Sequence, residues 1–253
     1  MSEETGGSPP TALVTGGSRG IGAATALALA RRGYDIALTY RNKEARARAV
    51  ADEVAGAGTR AMPVRCDMTR PDEVAALFEA LRGWRAGLDA LVLNASGGLE
   101  RDLVAADPEY AMRINRDAQV TMFEGALPTL RAGGVVVFVT SHWAHRYGEV
   151  TQLPVYEPVA ASKHAGEMAL RARQADLEAR GIRLIIVTAD VVEGTITPRL
   201  IARATPGLAE AQGGASRHVI TAAEVGEAIA AAAANAALPS GSVVVLGGPL
   251  ESV

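Results

Sequence analysis

Glycines 16, 20 and 22 stand in the run Thr11 to Gly22, T-A-L-V-T-G-G-S-R-G-I-G. Ala12, Leu13, Val14 and Thr15 lead into the turn as a strand, and the alanine-rich stretch Ala23 to Arg31 leads out as a helix. A helix that starts this way has unpaired first-turn N–H groups aimed at the turn, with the positive end of its dipole added to them. That is the chemistry of a diphosphate cradle. The glycines permit the tight turn, close approach of backbone to ligand and close packing of helix on strand. Gly16, Ser18, Arg19, Gly20, Ile21 and Gly22 are therefore expected to hold a nucleotide.

At the end of the second apolar run, an acid would bind the ribose hydroxyls of an adenine dinucleotide, whereas a base accommodates a 2′-phosphate. The position reads Tyr40, Arg41, Asn42, with Arg19 nearby in the glycine turn and no carboxylate. Guanidinium groups suit a phosphate, so NADPH is expected rather than NADH. Downstream, His142, Trp143 and His145 follow Ser141 directly and are expected to line a substrate mouth. A histidine with its ordinary pKa near 6.5 is suited to acid catalysis, which makes His142 a candidate acid.

The elements that must position these groups alternate. Strands are expected at 35–40, 59–65, 88–93, 134–140, 182–188 and 242–246, in addition to the first. Helices are expected at 44–57, from Pro71 with Thr69 as its cap, and at 108–131, 158–180 and 224–236. Residues 141–157 read as irregular. Near-continuous apolar strands alternating with helices predict a parallel sheet covered on both faces, a doubly wound α/β fold of seven strands. Ligands bind at strand carboxyl ends in that architecture, where Cys66-Asp67-Met68, Asn94-Ala95-Ser96-Gly97-Gly98 and Ser141 all fall.

Size and composition narrow the class. At 253 residues, with 49% hydrophobic and 21% charged, the chain is long enough for one domain with a substantial core. A net charge of -3 supplies no electrostatic footprint for nucleic acid. Apolar runs are short and broken by charge, so no membrane span is expected. The acidic start, M-S-E-E-T-G-G-S-P-P, reads as a loose tail over 1–10 without the basic and apolar regions of a signal peptide. One cysteine and four scattered histidines predict neither an internal disulfide nor a metal site. The expectation is a cytoplasmic chain with one dinucleotide-binding and catalytic domain over 11–253.

Taken in order, T-G-G-S-R-G-I-G, C-D-M-T, L-N-A-S-G-G, the helical Asn115, V-T-S at 139–141 and S-K at 162–163 resemble the short-chain dehydrogenase/reductase family. The resemblance runs from residue 11 to 249 and implies a three-layer Rossmann fold. It implies that Asp67 and Met68 border the adenine and that Asn94, Ala95, Ser96 and Gly97 flank the ribose and nicotinamide. It further implies a catalytic set of Ser141, Tyr156, Lys163 and Asn115, with Lys163 also bridging the nicotinamide ribose, and a homotetramer or homodimer. Residues 191–212 would form a flap over a small or acyl substrate, with Thr195 touching the cofactor and Leu200, Ile201 and Leu208 facing an aliphatic body.

The resemblance departs from pattern at the proton donor. The family's tyrosine stands four residues before the lysine, where this chain has Val159; Tyr156 stands seven before Lys163. That Tyr-(six residues)-Lys spacing, with N-A-S-G-G and Arg146-Tyr147, is similar to the NADPH-using branch of enoyl-thioester reductases. Tyr147 is a second phenol candidate, and Thr188-Ala189-Asp190 replaces the usual Pro-Gly. Positions seven apart share a helix face but sit about 10 Å apart along its axis. Tyr156 lies just before the helix and is expected to fold back toward Lys163, whose ammonium would lower the phenol pKa. The sequence therefore predicts an NADPH-dependent reductase, first of a conjugated C=C in an enoyl thioester. The alternatives are a ketoreductase, 3-oxoacyl reductase or alcohol dehydrogenase, and a nucleotide-binding relative without catalysis.

Overall fold

The computed structural model describes residues 8–193, 195 and 220–250. Its strands are β1 (Thr11–Val14), β2 (Asp35–Tyr40), β3 (Ala61–Arg65), β4 (Leu88–Leu93), β5 (Leu130–Ser141), β6 (Arg183–Ala189) and β7 (Val243–Leu246). They form one sheet in the order β3-β2-β1-β4-β5-β6-β7, every pair parallel. The chain winds outward from β1 in one direction and, from β4, in the other. The strand order thus reverses between β1 and β4, and a crevice opens above their carboxyl ends.

Strand alternation divides the core in two. Leu13, Leu91, Leu93, Val136, Phe138 and Ile186 face one side. There they meet α3 (Pro71–Trp84), α6 (Ala118–Ala126) and α8 (Glu157–Arg171) through Phe78, Met122, Phe123 and Leu170. Val14, Leu38, Val92, Val137, Ile185 and Val187 face the other. They meet α1 (Gly20–Ala30), α2 (Glu44–Gly56) and α10 (Ala222–Ala234) through Leu29, Val54, Val225 and Ile229. With both faces covered, each strand reads as an apolar run because every second residue is needed on each side.

Several boundaries differ from the sequence reading, for local reasons. The expected helix 108–131 stops at Ala126, because Thr129 turns back onto the Ala126 carbonyl and Leu130 already pairs with Leu88 in the sheet. Its start is α5 (Tyr110–Met112), and between α5 and α6 lies a π-helical turn, Arg113–Asp117. The expected helix 158–180 divides into α8 and α9 (Gln174–Ala179). Two short helices escaped the periodicity: α4 (Arg101–Ala106) and α7 (His142–His145), the latter inside the stretch read as irregular. Thr69 does not cap α3. Its hydroxyl and amide both donate to Asp67 Oδ1 in a tight local turn, and Arg70 takes the cap position. A capping box, Thr221 with Glu224, starts α10 two residues earlier than expected.

Candidate active site

A cleft of about 740 Å³ opens at the carboxyl ends of the strands. Gly16 and Gly20 adopt φ of +65° and +54°, conformations that L side chains rarely take, and so the backbone turns sharply out of β1. No side chain caps α1, so its first-turn N–H groups remain open to a ligand on the cleft side. Thr15 and Asn94 lock the floor: Asn94 and Ala95 N–H donate to Thr15 Oγ1 at 2.9 and 3.0 Å, and Asn94 Nδ2 donates to the Thr15 carbonyl at 2.9 Å. This donor set fits a dinucleotide diphosphate.

Ser18, Arg19, Ile21, Tyr40, Arg41, Asn42, Asp67, Met68, Ala95, Ser96, Gly97, Lys163 and Thr195 all line the cleft, as do Gly16, Gly20 and Asn94. Gly22 does not, which corrects its expected contact role. A Cβ there would stand 2.4 Å from the Gly16 carbonyl oxygen and 2.7 Å from Asn94 Nδ2, so Gly22 lies under the turn and lets the helix close on it. Of the expected flap, Val191, Val192 and Thr195 line the cleft, and Thr195 Oγ1 donates to the Val192 carbonyl. Leu200, Ile201, Leu208 and the remainder of 191–212, apart from Glu193, lie outside the described residues.

At the other end of the cleft, β5 delivers Ser141 and the start of α8 delivers Tyr156. Tyr156 is 4% exposed, and its Oη donates to Ser141 Oγ at 3.0 Å. Ser141 Oγ also accepts from Ala144 N at 3.3 Å, capping α7. The serine oxygen therefore accepts twice, and its own O–H is left to donate to a third oxygen. Trp143 packs on the Tyr156 ring with centroids 5.5 Å apart. Val159, in the place of the family's usual phenol, is buried against Gly98.

The tuning of this phenol differs from the sequence reading. Burial pushes Tyr156 above its ordinary 10, and the hydrogen bond to Ser141 is what opposes the shift. Lys163 makes no hydrogen bond or ion pair with the described residues, and burial lowers its ammonium to about 8. The phenol is thus kept protonated by desolvation, the state a proton donor needs.

Asn115 sits in the π-helical turn, 1% exposed. Its Oδ1 accepts from Ser96 Oγ and Gly97 N, and its Nδ2 donates to the Gly97 carbonyl at 2.9 Å and to Ser162 Oγ at 3.0 Å. With all its hydrogen-bonding groups engaged, the amide works as a bolt between the loop after β4 and α8. Its side chain is not on the cleft wall. A single extra residue in a helical turn, a common mark of functional sites, is what turns it inward.

Of the three residues expected at the substrate mouth, His142 and Trp143 line the cleft and His145 does not, and both ring nitrogens of His142 are engaged within the protein. His142 is 1% exposed, with Nδ1 at 2.9 Å from Thr188 Oγ1 and Nε2 at 3.2 Å from the Gly248 carbonyl. A carbonyl only accepts, so Nε2 carries a proton, and the ring ties β6 to the turn after β7. Tyr147 packs on His164, and it is absent from the cleft lining. His145 holds the buried carboxylate of Glu167, which also binds Arg171. Burial raises the Cys66 thiol to about 12, an inert group at the cleft wall.

Sequence reasoning missed Lys43, Arg46, Glu100 and Tyr110, which also line the cleft. Lys43 and Arg46 carry a signal, since residues three apart at a helix start share a face with the nearby Arg41. Tyr110 carries none, being 69 residues from the arginine it meets. Among the described residues no cluster of His, Cys, Asp or Glu is arranged to hold a metal, and no helix is long and apolar enough to cross a membrane.

A doubly wound sheet with a glycine turn at its switch point and a Ser–Tyr pair beside it has the form of a dinucleotide-binding Rossmann fold. The short chain dehydrogenase family profile matches residues 10–203, and the chain belongs to that family. It is 37% identical over 160 residues to a hydroxynaphthalene reductase-like protein Arp2 of Metarhizium robertsii, a match spanning 62% of this chain and 58% of the relative. A short chain dehydrogenase from Burkholderia cenocepacia, solved with NADP, superposes with a TM-score of 0.82 at 30% identity, covering 96% of this chain and 98% of the other. The angucycline C-6 ketoreductase LanV, solved with bound NADP, superposes with a TM-score of 0.79 at 28% identity, covering 96% of each chain.

Proposed function

We propose that this protein is an NADPH-dependent reductase of a ketone carbonyl on a small, largely apolar substrate. The observation that carries the reading is the hydrogen bond from Tyr156 Oη to Ser141 Oγ. The two hydroxyls then form one donor chain, Tyr156 to Ser141, whose last O–H is left for a substrate oxygen at the end of the nucleotide cleft. That arrangement suits a carbonyl, whose oxygen gathers the negative charge and takes the proton.

Bound NADPH supplies the hydride. Ser141 donates its free O–H to the substrate oxygen and stabilises the charge that develops there. Ser141 passes that proton to the oxygen, and Tyr156, kept protonated by burial, restores it along its hydrogen bond to Ser141 Oγ. Asn115 holds Ser96 and Gly97 in place, while Trp143, Val159 and Leu99 supply an apolar wall. Arg19, Arg41, Lys43 and Arg46 form no ion pair among the described residues, and all line the cleft, which supports a 2′-phosphate. The names of the hydroxynaphthalene reductase-like relative and of LanV point the same way.

The Tyr-(six residues)-Lys spacing and Val159 favour a second reading, reduction of a conjugated C=C in an enoyl thioester. Assembly as a homodimer or homotetramer through α6 and α8 goes with either, and Met168 on α8 is an exposed apolar group that such contact would cover. The test is turnover of NADPH by the purified protein with α-tetralone, an acetoacetyl thioester and a crotonyl thioester. Reduction of the ketones supports the proposal. Reduction of the crotonyl substrate alone overturns it in favour of the second reading, and NADPH binding with no turnover of a wider panel points to a nucleotide-binding protein.

A further inference from the structure

The cleft wall just past β2 contains a contact between distant parts of the chain. Arg41, just past β2, donates from Nη1 to Tyr110 Oη at 2.7 Å. Tyr110 comes from α5, beyond β4, and is 8% exposed. Its ring lies along Gly97, where a Cβ would meet Tyr110 Cε1 at 3.1 Å and Oη at 3.2 Å. The phenol is therefore held by packing on the loop that Asn115 pins, and burial raises its pKa.

A guanidinium has five N–H donors in one plane. Fixing Nη1 fixes that plane, and the remaining donors of Arg41 have no partner among the described residues. A long side chain at a strand end would otherwise sample many rotamers and pay that entropy on binding.

We propose that Tyr110 is a positioning residue that sets the preference for a 2′-phosphate on the adenine ribose, by preorganising the Arg41 guanidinium. The inference rests on the NADPH reading above. NADPH and NADH differ only in that phosphate, so their affinity ratio isolates it from every other cofactor contact. The group on which Arg41 leans is a neutral phenol, so it orients the cation without neutralising it. A carboxylate in the same place would compete with the phosphate.

The test is the ratio of dissociation constants for NADPH and NADH, by quenching of protein fluorescence, in wild type, Tyr110→Phe, Arg41→Ala and the double variant. Tyr110→Phe keeps the ring on Gly97 and removes the hydroxyl alone. The expected result is a ratio moved about tenfold toward NADH, the scale of one hydrogen bond to a charged group. The double variant should match Arg41→Ala, because Tyr110 acts through the arginine. Tyr110→Gln, which restores an oxygen acceptor, should recover part of the ratio, and it guards against an effect of altered packing. A ratio unmoved in Tyr110→Phe, or additive losses in the double variant, overturns the assignment to Tyr110 while leaving the cofactor reading intact. A wild-type ratio near one overturns the NADPH reading, and the assignment with it.

Discussion

Asn115 and Ser162 meet inside the protein, Nδ2 donating to Oγ at 3.0 Å, one from a π-helical turn and the other from α8 beside Lys163. The serine hydroxyl in turn donates to the Val159 carbonyl at 3.0 Å. The contact joins the loop that flanks the cleft to the helix that carries the candidate proton donor. Loss of either partner should be felt in both places.

Asn115→Ala takes the partner from the buried Ser162 hydroxyl and from the part-buried Gly97 N–H and carbonyl, and opens space at a site that is 1% exposed. It should lower stability by about 3 kcal/mol, where Ser162→Ala costs about 1 kcal/mol. Urea unfolding of the two variants checks the order, and equal costs would argue against the shared network.

Gly166 on α8 lies against the carbonyl of Asn115, and a Cβ there would come within 2.2 Å of that oxygen. The helix has to move away to admit a methyl group. Gly166→Ala should cost at least about 2 kcal/mol and reduce turnover through displacement of α8. Calorimetry together with steady-state rates would show both effects, and a variant as stable as wild type sinks the idea.

Removing the Tyr156 hydroxyl should lower kcat by about 100-fold or more, the range of a lost general acid, with a small change in cofactor binding. Ser141→Ala should cost a comparable factor, because it removes an oxygen-stabilising donor and the group that orients the phenol. The double variant should be scarcely worse than either alone. If Tyr156→Phe retains full activity, the proton comes from elsewhere.

Lys163 gives a pH dependence with a definite sign. In the folded protein burial brings its pKa from 10.5 to about 8. Below about 8 the folded state carries the cost of a buried ammonium. Between the two values the unfolded chain binds more protons, so stability rises with pH through that window. Lys163→Met should therefore be more stable than wild type near pH 7, with the difference shrinking from about pH 8 and vanishing above 10.5. The reduction rate of the wild type should fall above about pH 8, as the positive charge of Lys163 on the cleft wall is lost. Unfolding and rate profiles measured against pH decide both points.

Local chemistry made much of this legible from the chain alone. The glycine turn, the seven apolar strands and the polar residues at their carboxyl ends are short-range features, fixed by backbone sterics and by burial on two faces. They specified the Rossmann fold and placed the glycine turn, the end of β2 and the loop after β4 on the cleft lining. The NADPH expectation came from Arg41 and Arg19 in the same way.

The tertiary structure decided what depends on residues far apart. Tyr110 reaches Arg41 across 69 positions. His142 became a strut through Thr188 and Gly248. Tyr156 was tied to Ser141, with its pKa raised by burial rather than lowered by Lys163. The π-helical turn at Asn115 and the close approach at Gly166 belong here too, since each exists only where two elements press together. A side chain's type limits the hydrogen bonds and protonation states open to it. Which of them it adopts is set by desolvation and by its neighbours, and those are known only once the sheet and its helices have assembled.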